Sequence, residues 1–346
     1  MLSTLRAAAW VILAALPAEV IASSALPAAH PYGQMAEEQI RHIATWFPGR
    51  MAGSPAEMLT ADYLRQQFEQ MGYHSDTRDF KTRYAWHESN GQTVWHHVTA
   101  RSTIAARTGE APQEIVIVAH LDTWTPQSDA DNQKNLGGLR LQGVDDNASG
   151  LGVMLELAQR LQPLSLHYSL RFVAISGEEI GQRGTSDYIA RMTAQEKKNV
   201  LLVIDLDSLI VGDRLYFDSG RTTPAPVVKQ TRDRALAIAH RYGIKATRRP
   251  DNARDGFPAN PFEQAGFPLL LVRATNWALG NQDGLQQRAV SPHFPHGTTR
   301  YQTEYDNLLW IDHWLPGRIT ARARNSVRIL LPLIIELANP GKKEVK

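Results

Sequence analysis

Ile115-Val116-Ile117-Val118-Ala119-His120-Leu121-Asp122 is the stretch that decides the fold. Its first four residues are β-branched and apolar without interruption. A strand facing solvent on one side alternates apolar with polar, whereas a strand covered on both faces reads as an unbroken run. The run stops on a histidine and an acid. Three more runs repeat the theme: Leu170-Arg171-Phe172-Val173-Ala174-Ile175, Leu201-Leu202-Val203-Ile204 and Pro268-Leu269-Leu270-Leu271-Val272. Helical spacing of apolar residues occupies the intervals, at residues 151–161, about 186–192 and 226–242, and again at 319–337. Strands alternating with helices predict an α/β fold: a mostly parallel, twisted sheet flanked by helices on both faces.

Upstream of the first run the pattern differs. Ser54 and Glu57 bracket Pro55 as a capping box, and Ala61, Leu64, Phe68 and Met71 give one apolar face, predicting a helix over 55–71. Two β-type stretches, 73–84 and 93–105, flank Asn90-Gly91 and read as an antiparallel hairpin. The polar connections at 123–143, 248–262 and 276–315 are long enough to be functional rims. Before all of this, Arg6 precedes a short apolar core at 7–16, then Pro17 and small residues at Ala22, Ser23, Ser24 and Ala25. That order is a secretory signal, and the core is too short to span a bilayer. The expectation is therefore a signal over 1–25, a single domain over 26–346, and a periplasmic or secreted product that leaves no membrane anchor. The chain has no cysteine, so neither disulfides nor thiolate chemistry is available to it, and any metal must be held by His, Asp and Glu. A net charge of +2 with scattered Lys and Arg speaks against a nucleic-acid surface.

The apolar runs end in chemistry. The first leads into His120-Leu121-Asp122, the second into Gly177-Glu178-Glu179, the third into Asp205-Leu206-Asp207, and Gly143-Val144-Asp145-Asp146-Asn147 precedes a helix. Each alone has an ordinary explanation: a satisfied histidine pair, helix-start acids or an N-cap cluster. Together they differ, because ligand crevices of parallel sheets lie at the carboxyl ends of the strands and all four clusters converge there. So many carboxylates repel one another unless cations neutralise them, and Zn²⁺ accepts this N/O donor set.

The ordered motifs His120-x-Asp122, Gly143-x-Asp145-Asp146-Asn147-x-x-Gly150, Gly177-Glu178-Glu179-x-Gly181-x-x-Gly184 and Asp205-Leu206-Asp207 resemble the co-catalytic zinc aminopeptidases, a family that also includes glutaminyl cyclases. The segments His42-Ile43-Ala44, Gly49-Arg50-Met51, Gly137-Gly138-Leu139 and Leu315-Pro316-Gly317-Arg318 extend the resemblance to an exported bacterial branch of it. The resemblance implies two zinc ions. His120 and Asp207 would bind one, Asp145 would bridge both, and Glu179 would bind the second. Asp122 would accept a hydrogen bond from the far nitrogen of His120, and Glu178 would be the general base. It also implies a cis peptide between Asp145 and Asp146.

One position departs from the family pattern. Tyr301 stands where a further histidine ligand is expected, and His293 and His296 lie just before it. His296 is the expected replacement, with His293 and Tyr301 as alternatives. The implied activity is removal of N-terminal residues from peptides or proteins, arginine among them, for which Asp129, Asp131, Asp251 and Asp255 are rim acids. Two rivals share the fold: a one-zinc glutaminyl cyclase and a non-catalytic binding module.

Overall fold

The four apolar runs form the centre of an eight-stranded sheet among the described residues. The structure is a computed structural model, and it describes residues 30–134, 139–251, 259–277 and 305–341. The signal segment therefore lies outside the described residues. The strands are β1 (His74–His87), β2 (Thr93–Arg107), β3 (Ala111–His120), β4 (Tyr168–Ile175), β5 (Val200–Asp207), β6 (Arg214–Ser219), β7 (Ala246–Thr247) and β8 (Leu269–Thr275). Their order across the sheet is β1-β2-β4-β3-β5-β8-β6-β7. β3 runs parallel to β4 and β5, and β5 runs parallel to β8. The expected hairpin is present as β1 and β2, and β2 joins the sheet antiparallel to β4 only from Thr103 to Arg107. β6 pairs antiparallel with β8. Its six residues, Arg214 to Ser219, hold only three apolar positions between Arg214 and Asp218, too few to read as an apolar run.

Side chains alternate between the two faces with a period of two. On one face Ile115, Ile117 and Ala119 of β3 join Phe172, Ile204 and Val272 in the larger core. That core is closed by helices Gln34–Trp46, Pro55–Gln70, Ser149–Leu161 and Arg318–Ala338. On the other face Val116 and Val118 join Val173, Ile175, Val203 and Leu269 in a smaller core, under helices Arg183–Arg191 and Pro261–Gln264. Helices thus cover both faces, but unequally. The thinly covered face is the one on which β3 ends in His120 and β5 in Asp205 and Asp207.

Several local expectations change in detail. Ser54 accepts the Glu57 amide at 3.1 Å, but the Glu57 carboxylate turns to the Gly53 amide at 2.8 Å, so the capping box is half made. The helix expected over 226–242 is divided into Ala225–Val228, a wide turn Lys229–Asp233 and Arg234–Arg241. The connection 276–315 contains a helix, Leu308–Trp314, started by Asn307, whose side chain accepts the Trp310 amide. The chain from Tyr32 onward groups as one compact unit. No helix among the described residues is long and apolar enough to cross a membrane.

Candidate metal centre and cleft

Strand register brings the first two donors together. Val118 of β3 lies opposite Asp205 of β5, so two residues later His120 and Asp207 emerge side by side at the carboxyl end of the sheet. His120 is buried, and its Nδ1 lies 2.9 Å from the backbone carbonyl of Asp122. A carbonyl can only accept, so Nδ1 carries the hydrogen and Nε2 is the nitrogen that faces the site. Nε2 is 2.9 Å from Asp146 Oδ1 and 3.7 Å from Asp207 Oδ1. Burial alone would lower the imidazole, but Asp122, Asp146 and Asp207 outweigh it and hold it well above its ordinary value. The pocket, in other words, demands positive charge.

The aspartate that the structure brings to His120 differs from the one expected. Asp145, expected to bridge two metals, is wholly buried and its Oδ1 accepts the Ile210 amide at 2.7 Å. Asp146 faces His120 instead. The cis peptide is likewise one bond further on, between Asp146 and Asn147 rather than between Asp145 and Asp146. The turn begins at Gly143, whose positive φ of 55° suits glycine; a Cβ there would come within 2.7 Å of Arg50 and of the Asp146 carbonyl.

Three residues that motif reading did not assign to the site hold this turn. Asp306 accepts the amides of Asp145 at 2.7 Å and Asp146 at 3.0 Å. Burial, then the charges of Asp145 and Asp146, push its carboxyl well above the usual range. Arg50 is fully buried and donates to the carbonyls of Phe47, Leu121, Gln142 and Gly143, binding the strand end to the turn. Burial lowers its guanidinium to about 10, against the pull of Asp306, Asp122 and Asp146. Asn147 donates to the Leu206 carbonyl and accepts the Ser208 amide, which ties the turn to β5. Asp306 is 160 residues from its partner Asp146, so local sequence gives it no role at the turn.

The Glu178–Glu179 loop is positioned by Asp122. Its two carboxylate oxygens accept the amides of Glu178 at 3.2 Å and Glu179 at 3.1 Å. The expected contact to His120 is made by the Asp122 carbonyl, while the carboxylate stands 3.7 Å from Nδ1. Glu178 lines the cleft, with Oε1 accepting Gln182 Nε2 at 2.9 Å and Oε2 accepting Thr185 Oγ1 at 3.4 Å. Glu179 is buried and lies outside the trio of His120, Asp146 and Asp207. Behind the loop, Ser176 Oγ bonds the buried Glu57, whose carboxyl is pushed up to about 8 by burial against the pull of its hydrogen bonds.

Beside the trio a cleft opens on the thinly covered face, with Asp205, Asp218 and Arg273 among its lining residues. Asp205 and Asp218 flank Leu271 in one row of the sheet. Burial first, then Asp207 and Glu178, push the Asp205 carboxyl up to about 7. Of the rim acids, Asp131 accepts the Gln127 amide and Asp251 pairs with Arg248. Asp129 starts the short helix Asp129–Lys134. Asp255, His293, His296 and Tyr301 lie outside the described residues.

The donors of His120, Asp146 and Asp207 lie within 4.8 Å of one another. Asp146 Oδ1 is buried and makes no hydrogen bond of proper geometry, although Nε2 is 2.9 Å away. An imidazole lone pair and two carboxylates converging in this way fit a zinc ion, which takes N and O ligands at tetrahedral angles.

Comparison with known proteins agrees. The model of peptidase family M28 matches residues 102–327. The alkaline phosphatase isozyme conversion protein of Escherichia coli K12 is 56% identical over 314 residues, covering 88% of this chain and 91% of that protein. Among solved structures, a zinc aminopeptidase from Bacillus subtilis superposes with a TM-score of 0.65 at 14% identity, over 90% of this chain and 97% of its own. The Fimbriiglobus ruber glutaminyl cyclase gives 0.61 at 16%, over 87% and 94%. With most of its sheet and its site inside the matched region, the chain belongs to peptidase family M28 and is a hydrolase of peptide bonds.

Proposed function

We propose that this chain is an exported zinc aminopeptidase that removes the N-terminal residue of peptides or proteins. What carries it is the convergence of His120, Asp146 and Asp207 beside a cleft that Glu178 lines. His120 and Asp207 would hold one zinc, Asp146 would be shared, and Glu179 with His296 would hold the second. His293 and Tyr301 are the alternatives to His296. When bound, the metals supply Lewis-acid polarisation of the substrate carbonyl and a depressed pKa for water. Glu178 takes the proton from the attacking water and returns it to the departing amine. Asp122 keeps Glu178 and Glu179 in register through their amides, and fixes the His120 tautomer through its carbonyl. Asp205 and Asp218 in the cleft support a cationic first residue such as arginine. Residues 1–25 would direct export, leaving 26–346 as the single catalytic domain in the periplasm or outside the cell.

Glu178→Gln tests the assignment. Zinc content should stay intact while kcat on an aminoacyl-arylamide falls at least about 100-fold, the usual scale for a lost general base. Loss of zinc with the activity would make Glu178 a ligand instead. One metal with cyclisation of N-terminal Gln would mark a glutaminyl cyclase, and neither metal nor turnover a binding module.

A further inference from the structure

Among the described residues, two that are not glycine have positive φ: Gln182 at 57° and Ser208 at 52°. A side chain in this region is sterically disfavoured, and such strain persists where the surroundings enforce it, commonly at functional sites. Both residues here use their side chains in the same way. Ser208 Oγ donates to Asp207 Oδ1 at 2.9 Å, and Gln182 Nε2 donates to Glu178 Oε1 at 2.9 Å.

Gln182 is the more informative of the two. Its own amide donates to the Glu178 carbonyl at 2.9 Å, closing a tight turn just before helix Arg183–Arg191. The left-handed backbone at Gln182 ends that turn, and from it the side chain folds back onto the carboxylate of the residue that began it. A glycine would serve the backbone here without steric cost. The turn alone therefore gives no reason for glutamine; the hydrogen bond to Glu178 does. Thr185 Oγ1 approaches the other oxygen at 3.4 Å, so each oxygen of this cleft-lining carboxylate has a side-chain donor.

We infer that Gln182 is a positioning residue that holds the Glu178 carboxylate in its reactive orientation, an inference that rests on the reading of Glu178 as general base. The backbone and side-chain roles are separable. Gln182→Gly relieves the backbone and removes the donor; Gln182→Met keeps the length and removes the donor. Both are purified with zinc alongside wild type and Glu178→Gln, and assayed with arginine p-nitroanilide, with zinc content and melting temperature read on the same samples. For Gln182→Gly we expect a melting temperature equal to or above wild type, unchanged zinc, KM within about twofold, and kcat lower by about tenfold, the scale of one hydrogen bond to a charged group. Gln182→Met should lose kcat similarly. Wild-type kcat in Gln182→Gly, with Glu178→Gln inactive, overturns the positioning role and leaves the base intact. Wild-type kcat in Glu178→Gln overturns the base, and the positioning role with it.

Discussion

Asp306 offers the sharpest test of how the metal-facing turn is held. Its carboxylate accepts two buried amides, those of Asp145 and Asp146, at 2.7 and 3.0 Å. In Asp306→Asn one oxygen remains for one amide, and the other amide faces an NH₂ group that cannot accept. A hydrogen bond contributes about 0.5–1.5 kcal/mol, and a buried donor left unpaired costs about 1–3 kcal/mol. The expected net destabilisation is about 2–4 kcal/mol, or roughly 3–6 °C in melting temperature for a chain of this size. Because Asp146 is carried by the same turn, zinc affinity should fall about 10–100-fold, as it does when groups supporting a ligand are lost. Asp312→Asn is the control: the same change on a partly exposed pair with Arg41 should cost less than about 1 kcal/mol and leave zinc alone. Urea melts and zinc titration measure both quantities. Should Asp306→Asn match Asp312→Asn in stability and affinity, the clamp is not what holds the turn.

Two further outcomes follow from the same geometry. Asp146→Asn should lose zinc, whereas Asp145→Asn, which keeps an acceptor for the Ile210 amide, should retain it; metal analysis giving the reverse order would return the ligand to Asp145. Glu57 should make stability fall as pH rises, because its carboxyl is raised to about 8 in the fold from an ordinary 4.5. Below pH 4.5 both states are protonated and the group contributes nothing. Between 4.5 and 8 the unfolded chain releases a proton that the folded one keeps, so folding loses about 1.4 kcal/mol per pH unit, levelling off above 8. Denaturation across pH 5–8 should show that slope reduced in Glu57→Gln, and equal slopes in the two proteins would refute it.

The central sheet was legible because burial on both faces writes itself as β-branched runs, and Ile115 to Ala119 needed no tertiary information. That His120, Glu178 and Asp207 meet at one cleft was legible for a related reason: each lies within three residues of the end of such a run, and a parallel sheet delivers strand ends to one place. Asp145 and Asp146 were not separable, since nothing in an Asp-Asp pair says which way each turns. That choice is made by Asp306 and the Ile210 amide, both remote in sequence. Arg50 has no legible role in the sequence, because its work is done by a guanidinium reaching four carbonyls that have no pattern of their own. Strand β6 and helix Leu308–Trp314 are short and mixed in polarity, so local periodicity carries too little signal to reveal them.

The order of the strands has a consequence for how the folded protein lives among its neighbours. The sheet ends in β1 on one side and β7 on the other, and any edge with unpaired backbone groups is a template for a stranger's strand. β1 answers with charge: Asp76, Arg78, Asp79, Lys81 and Arg83 are exposed along it, so an incoming strand would have to strip water from them. β7 answers with brevity, offering only Ala246 and Thr247. Between those two borders lie rows of isoleucine, valine and leucine that would make a strongly aggregating surface if the edges were long and bare. A cysteine-free chain has no covalent staple to hold such a sheet closed, and its defence against fibre growth is written into the margins of the sheet.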